Sequence, residues 1–253
     1  MTDLEWCVAY LKEYNGVHDE LDLPLEKAFR ALMNITMPTH LTDEFYRRQD
    51  SAIKQIQEGR VIVNADNLVP LRQKICLYKG DITTLRVDAI VNAGNEKLLG
   101  CFVPLHGCID NAIHSFAGLQ VRRDLAEVMR KQGVDEPNGR CKVTPAYNLP
   151  SRFILHTVGP CVRGRVTPRD EMDLRHCYLS CLKAAEELGL RSIAFCSIST
   201  GLYGFPIELA SKIAIETVNE YLLEGSSHIE KVVFNVFSEG DYDVYYRNIT
   251  SKD

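Results

Sequence analysis

Cys101-Phe102-Val103-Pro104-Leu105-His106-Gly107-Cys108 places two thiols and an imidazole in one short stretch of chain. Soft sulfur combined with imidazole is a donor set that suits Zn2+. Three donors with no fourth close in sequence resemble an open catalytic site more than a closed structural one, and the spacing matches no standard zinc finger. Two other readings stay open: a structural zinc completed by a distant ligand, and a metal-free loop whose cysteines pack as small hydrophobes. Three further segments carry polar chemistry. Asn92-Ala93-Gly94-Asn95 ends an apolar run in amides and glycine, which fits either a polar ligand or a turn. Ser199-Thr200-Gly201-Leu202-Tyr203-Gly204 can turn consecutive N–H groups towards a phosphate, or simply connect two elements; it has no Gly-Lys-Ser/Thr and so is not a Walker loop. Asp81, in Gly80-Asp81-Ile82-Thr83, reads first as a cap and second as an acceptor for a ligand amino group.

These segments need a frame. Leu4, Val8 and Leu11, then Leu25, Phe29 and Leu32, recur at helical spacing; Pro24 suits a helix start, and Thr42-Asp43-Glu44 precedes a third apolar series that Gly59 can stop. The first 60 residues therefore predict three short helices, with Trp6 as a core anchor. From about residue 73, β-branched runs alternate with amphipathic stretches. Strands are expected at 74–78, 89–92, 142–146, 153–157, 192–197 and 231–237, and helices at 109–132, 170–188 and 206–223. That alternation predicts an α/β domain with a largely parallel or mixed sheet, whose ligands sit beyond the carboxyl ends of the strands. Cys177 and Cys181 lie one helical turn apart on an apolar face and read as core residues. His156, inside Phe153-Ile154-Leu155-His156-Thr157-Val158, reads as a hydrogen-bonded core histidine, and His114 as a side chain that orients a loop.

The chain has 253 residues, 29 Lys+Arg and 34 Asp+Glu, giving a formal charge of −5. At 45% hydrophobic and 25% charged residues, it has ordinary globular composition, not that of a disordered or fibrous chain. The acidity argues against a nucleic-acid-coating protein, and Arg163, Arg165 and Arg169 read as a solvated loop. No apolar run approaches the roughly 20 residues of a membrane helix, and the N-terminus lacks a signal-peptide pattern. Nine scattered cysteines without an export signal read as reduced thiols or metal ligands in a cytoplasmic protein.

Taken together, Gly80-Asp81-Ile82-Thr83, Ile90-Val91-Asn92-Ala93-Gly94-Asn95, Ile109-Asp110-Asn111-Ala112-Ile113-His114, Leu155-His156-Thr157-Val158-Gly159-Pro160 and Ile198-Ser199-Thr200-Gly201-Leu202-Tyr203-Gly204-Phe205-Pro206 resemble the macrodomain family, which binds ADP-ribose. The motifs follow in order across residues 73–250. The resemblance implies a three-layer α/β/α macrodomain with a mixed central sheet over 73–253, preceded by an N-terminal helical extension over 1–72. The Cys101–Cys108 loop, where many macrodomains run a string of glycines, looks like the bacterial zinc-dependent subclass. That likeness implies a protein ADP-ribosyl hydrolase holding one Zn2+ on Cys101, His106 and Cys108. It further implies association with a sirtuin-type ADP-ribosyltransferase and a lipoylated glycine-cleavage H-like carrier protein as a possible modified partner. By the same resemblance, Asp81 and the Ile82 backbone meet the adenine, Asn95 the distal ribose, and Ser199, Thr200, Gly201, Leu202 and Tyr203 the diphosphate. Asp110 and Asn95 are the implied catalytic residues. Gly94, where alanine is common, enlarges the pocket slightly. Two alternatives share this pocket: a non-catalytic ADP-ribose-binding module, and a deacetylase of O-acetyl-ADP-ribose.

Overall fold

Helix α1 (Asp3–Tyr14) starts at Thr2, whose hydroxyl accepts from the Glu5 amide while the Glu5 carboxylate accepts from the Thr2 amide, a reciprocal capping box. Pro24 stands at the N-cap of α2 (Leu25–Ile35), and Thr42 caps α3 (Asp43–Glu58), which stops at Gly59. The three helices bury Leu4, Cys7, Leu11, Phe29, Leu32, Phe45 and Ile53 together. Each such fully buried large side chain stabilises by about 1.5–3 kcal/mol. Trp6 lies only partly buried at the edge, stacked on Tyr10 with its ring centroid 5.0 Å away. The computed structural model describes residues 1–38, 41–224 and 227–251.

The α/β part is built on a six-stranded sheet. Its strands are β2 (Ile75–Lys79), β4 (Ala89–Gly94), β5 (Cys141–Pro145), β6 (Phe153–Val158), β7 (Ser192–Cys196) and β8 (Lys231–Val236), in the order β2-β8-β7-β4-β6-β5. All neighbours run parallel except β5, which pairs antiparallel with β6. Strands β4, β6, β7 and β8 are buried along nearly their whole length, as expected where helices flank both faces of a parallel sheet. The flanking helices are α4 (Ile109–Ala117), α5 (Leu119–Gln132), α6 (Pro168–Glu187), α7 (Ile207–Leu223) and α8 (Glu239–Thr250). A two-residue parallel pair, β1 (Val63–Asn64) with β3 (Leu85–Arg86), fastens the segment after α3 to this body, and Ala65 enters the sheet core.

Besides the short β1–β3 pair, which was not expected, two helical regions differ from the sequence expectation. The predicted helix over 109–132 is broken at Gly118, whose φ of +104° no Cβ-bearing residue adopts readily; a Cβ there would also lie 2.5 Å from Gln120 Oε1. Helix α8 was not expected, because its apolar residues are few; Ser238 caps it, and Val244, Tyr245 and Ile249 bury one face.

The two layers are joined by polar groups as well as apolar ones. Arg122 on α5 is 2% exposed. Its Nη1 donates to the carbonyls of Met33, Asn34 and Thr36 at 2.8, 3.1 and 2.5 Å, and its Nε donates to Leu99 O at 2.7 Å. It thereby caps the C-terminus of α2, where carbonyls lack helical partners. Gln49 of α3 accepts from the Leu119 amide at 2.9 Å, bridging α3 to α5. Arg122→Met roughly keeps the packing volume but removes the guanidinium from four carbonyls, of which Met33 O retains the Thr36 amide. We expect it to lower unfolding free energy by at least ~3 kcal/mol, measured by urea titration with unchanged m; a loss below ~1 kcal/mol would contradict this role.

Candidate active site

A cleft of about 560 Å³ opens beyond the carboxyl ends of β4, β7 and β8, where a parallel sheet usually receives ligands. Most of its lining comes from strand ends and the loops that follow them. The metal-type loop, Asp110 at the start of α4, the 199–203 loop, Phe237 and Asp241 on α8 all contribute to it.

Residues 97–108 leave β4 through two left-handed turns, Leu98 (φ +55°) and Leu105 (φ +56°). Gly100 between them has φ +84°, and a Cβ there would sit 2.9 Å from the His114 ring, so the loop closes on the protein body only with glycine. This folding brings one donor atom each from Cys101, His106 and Cys108 within 4.8 Å of one another. Their fit to a cation has independent support. His106 Nδ1 is buried with no hydrogen-bond partner among the described residues. Burial pushes the Cys108 thiol up to about 11, opposed by a hydrogen bond from the Asn111 amide. Cation binding at this sulfur would need the thiolate and would release its proton to solvent. Cys108 also caps α4, its Sγ accepting from Asn111 N at 3.4 Å.

Asp110, in the first turn of α4, is 5% exposed and lines the cleft. Burial raises its carboxyl to about 6, against the opposing pull of Asn92 and Arg122. Asn92 Nδ2 donates to Asp110 Oδ1 at 2.8 Å and lies 3.2 Å from His156 Nδ1, whose Nε2 meets Thr144 Oγ1 at 2.9 Å. His156 is therefore the bonded core histidine the sequence indicated; burial lowers its pKa to about 3. His114 Nε2 stands 3.4 Å from Asp110 Oδ1, and burial pushes its pKa well down, leaving it neutral. A Cβ built on Gly94 would lie 3.6 Å from Asp110 Oδ1, so glycine leaves open a space that alanine would fill.

The 199–203 loop is shaped to present amides. Ser199 has φ +66°, and the loop closes through Phe205 N to Ser199 O at 2.9 Å and Gly204 N to Gly201 O at 3.0 Å. The amides of Gly201, Leu202 and Tyr203 carry no hydrogen bond among the described residues. Ser199 Oγ is likewise buried and unbonded. A Cβ on Gly159 would fall 2.1 Å from that Oγ, so only glycine lets the chain after β6 pass this loop. Three free N–H groups at a strand-to-helix junction make a concavity for an anion.

Asn95, Ser199, Thr200, Gly201, Leu202, Tyr203, Asp110 and the three metal-type ligands all line this single cleft. Asp81 and Ile82 do not line it. Asp81 Oδ1 caps the turn by accepting from the Thr83 amide at 2.9 Å, and Oδ2 accepts from Arg60 Nη2 at 2.6 Å, though the side chain stays 38% exposed. Ile82 is buried. Asn95 also braces the loop, accepting from Lys97 N at 3.0 Å. Sequence reasoning missed Phe237, an exposed ring at the end of β8, and Asp241 beside it on α8. An aromatic closing the predicted strand 231–237 was the available signal. Cys177 and Cys181 are fully buried, as expected, and Arg163, Arg165 and Arg169 are exposed.

With this geometry in view, the comparisons agree in direction. The Macro domain model matches residues 91–214. A protein-ADP-ribose hydrolase from Treponema medium is 44% identical over 247 residues, covering 96% of this chain and 94% of the relative. A protein-ADP-ribose hydrolase from Staphylococcus aureus (strain MRSA252) is 42% identical over 249 residues, covering 96% and 93%. Among solved structures, the Trypanosoma brucei macrodomain in complex with ADP-ribose superposes with a TM-score of 0.66 at 30% identity, covering 90% of this chain and 96% of that one. The Macro domain match, the likeness to a solved macrodomain and the nearly full-length likeness to those hydrolases show that the chain belongs to the macro domain family.

Proposed function

We propose that the protein is a zinc-dependent hydrolase that removes mono-ADP-ribose from a modified protein side chain and releases ADP-ribose. The observation that carries this reading is the convergence of the Cys101–His106–Cys108 donor set, Asp110 and the amide-rich 199–203 loop on one cleft. The protein-ADP-ribose hydrolase activity of the Treponema medium and Staphylococcus aureus relatives supports it.

In the proposed complex the diphosphate sits on the Gly201, Leu202 and Tyr203 amides, and its binding energy, remote from the reacting carbon, holds the distal ribose in place. Phe237 offers a ring face to the adenine, and Asp81 accepts from its amino group, with the Ile82 backbone nearby. Asn95 bonds the distal ribose. Cys101, His106 and Cys108 would hold a single Zn2+, and the chemistry supplied by a bound ion is Lewis acidity towards a ribose hydroxyl or water. Two thiolates offset much of the positive charge, so we favour orientation of the sugar over strong water activation.

The bond that breaks joins ribose C1″ to the modified side-chain atom, and water supplies the new C1″–O bond. Asp110, held by Asn92, stabilises the positive charge that develops on the ribose or takes the proton from the attacking water. The leaving side-chain atom departs with the bonding electron pair and acquires a proton. Gly94 leaves room for the distal sugar between Asp110 and Leu98.

The substrate is a mono-ADP-ribosylated protein, which we place in the cytoplasm on the strength of the sequence. A lipoylated carrier modified by a sirtuin-type transferase is the partner implied by the subclass resemblance. Among the described residues no helix is long and apolar enough to cross a membrane.

Incubation with a mono-ADP-ribosylated protein tests the function directly: released ADP-ribose is expected, and binding without release would reduce the protein to a reader of the modification. Cys101→Ala, His106→Ala and Cys108→Ala should each lower bound zinc from one per chain and cut turnover at least ~100-fold, with ADP-ribose affinity kept within about tenfold. Stoichiometric zinc in all three variants, by elemental analysis, would remove the metal assignment. Asp110→Ala should cost ~100-fold in kcat or more; unchanged kcat strikes it from the catalytic residues. Asp81→Ala should weaken ADP-ribose binding about tenfold, near 1.4 kcal/mol, with zinc content unaltered; calorimetry showing equal affinity would refute the adenine role.

A further inference from the structure

The N-terminal helices touch the metal-type loop from behind, through its backbone. The Leu105 amide donates to Asn34 Oδ1 at 2.9 Å, and Asn34 Nδ2 donates to Ser115 Oγ at 3.1 Å. Asn34, on α2, is 1% exposed. One turn earlier on the same helix, Arg30 donates through Nη2 and Nε to Asn111 Oδ1 at 2.7 and 3.1 Å, and Nη2 lies 3.4 Å from His106 O. Asn111 passes the restraint on, its Nδ2 donating to Val103 O at 3.0 Å. Three backbone groups between Cys101 and Cys108 are thus fixed by partners that the ligand residues themselves do not supply. The hydrogen bond from Leu105 falls on a residue in the left-handed region, φ +56°, which a leucine holds only when its surroundings enforce it.

We propose that Asn34 and Arg30 are positioning residues for the metal loop, so that the N-terminal helical layer sets the spacing of Cys101, His106 and Cys108 before a cation binds. The inference rests on the zinc reading above. Neither residue reaches the cleft, and both act through the loop backbone and Asn111. In a loop free to relax, the three donors lose preorganisation and the ion must order them at its own cost in affinity. Outer partners of this kind typically change metal affinity 10–100-fold.

The test uses the full chain stripped of metal and titrated with zinc against a competing chromophoric chelator. Asn34→Ala and Arg30→Ala are expected to lose about tenfold or more in zinc affinity, and Arg30→Lys, which can keep one of the donor bonds, to recover part of the loss. ADP-ribose affinity should stay within about threefold, since the diphosphate loop is untouched. Gln49→Ala serves as the structural control: it removes a buried bond between the same layer and α5 with no link to the loop, and should lower Tm while leaving zinc affinity unchanged. In Asn34→Ala, hydrogen exchange at the Leu105 amide should accelerate while β4 amides stay protected. If Asn34→Ala fails to fold, the pair Arg30→Ala and Arg30→Lys, at a half-buried side chain, carries the decision. Wild-type zinc affinity in both alanine variants, or an equal loss in Gln49→Ala, overturns the inference alone. A wild-type chain that binds no zinc overturns the metal reading and this inference together.

Discussion

Arg122 is a permanent charge placed almost wholly out of water, and the protein tolerates it because one guanidinium satisfies four carbonyls at once. Burial draws its pKa down to about 10, and Asp110 and Cys101 act against that shift, so it remains charged at neutral pH. The carbonyls of Met33, Asn34 and Thr36 come from the end of α2, and that of Leu99 from the start of the metal-type loop. A buried charge cannot lose a partner cheaply. The end of the N-terminal layer and the start of the loop are therefore fixed to one point on α5. The Phe102 ring lies over the same guanidinium at 4.4 Å, which closes the packing around it.

From that point the cleft follows. The sheet presents its strand ends in one row, and successive loops supply different chemistry: soft donors after β4, a narrow glycine passage after β6, free amides after β7 and an aromatic ring after β8. Behind this row lies a bonded polar line, Asp110 to Asn92 to His156 to Thr144, with His114 set beside Asp110, and burial keeps both histidines neutral. Neutral imidazoles let the carboxylate at the front remain the only titrating group of that line near neutral pH. The cleft thus combines a buried carboxylate with unbonded backbone donors, the pairing that the proposed ADP-ribose reading calls for.

Much of this was legible in the sequence. Strand runs rich in Val, Ile and Ala announced a buried sheet, and Pro24, Thr42 and Gly59 marked helix ends because capping is a local effect. The cleft residues of the 92–110 and 199–203 segments were legible as motifs. What escaped were features decided by distant partners. Gly118 looks like any glycine inside a helical pattern until Gln49, Gln120 and Asn148 crowd it. Arg122 reads as a surface arginine of an amphipathic helix, and only the arrival of α2 makes it a buried junction. Helix α8 lacks periodic strength of its own and is held by packing against β2 and α7. Asp81 was weighed as a cap and as a ligand acceptor; it does cap its turn, its side chain stays partly exposed, and Arg60, a partner 21 residues away that no local pattern reveals, also holds it.

The loop between the two cysteines is gripped by its peptide groups, at Val103 O, Leu105 N and His106 O, and not by the side chains of Val103, Pro104 or Leu105. Main-chain anchoring separates the loop's shape from its local sequence. Evolution can then exchange the outward-facing Val103, which is 57% exposed, to suit a different client surface without disturbing the donors on either side. Diversification of what the protein acts upon and preservation of how it acts fall on different atoms of the same eight residues.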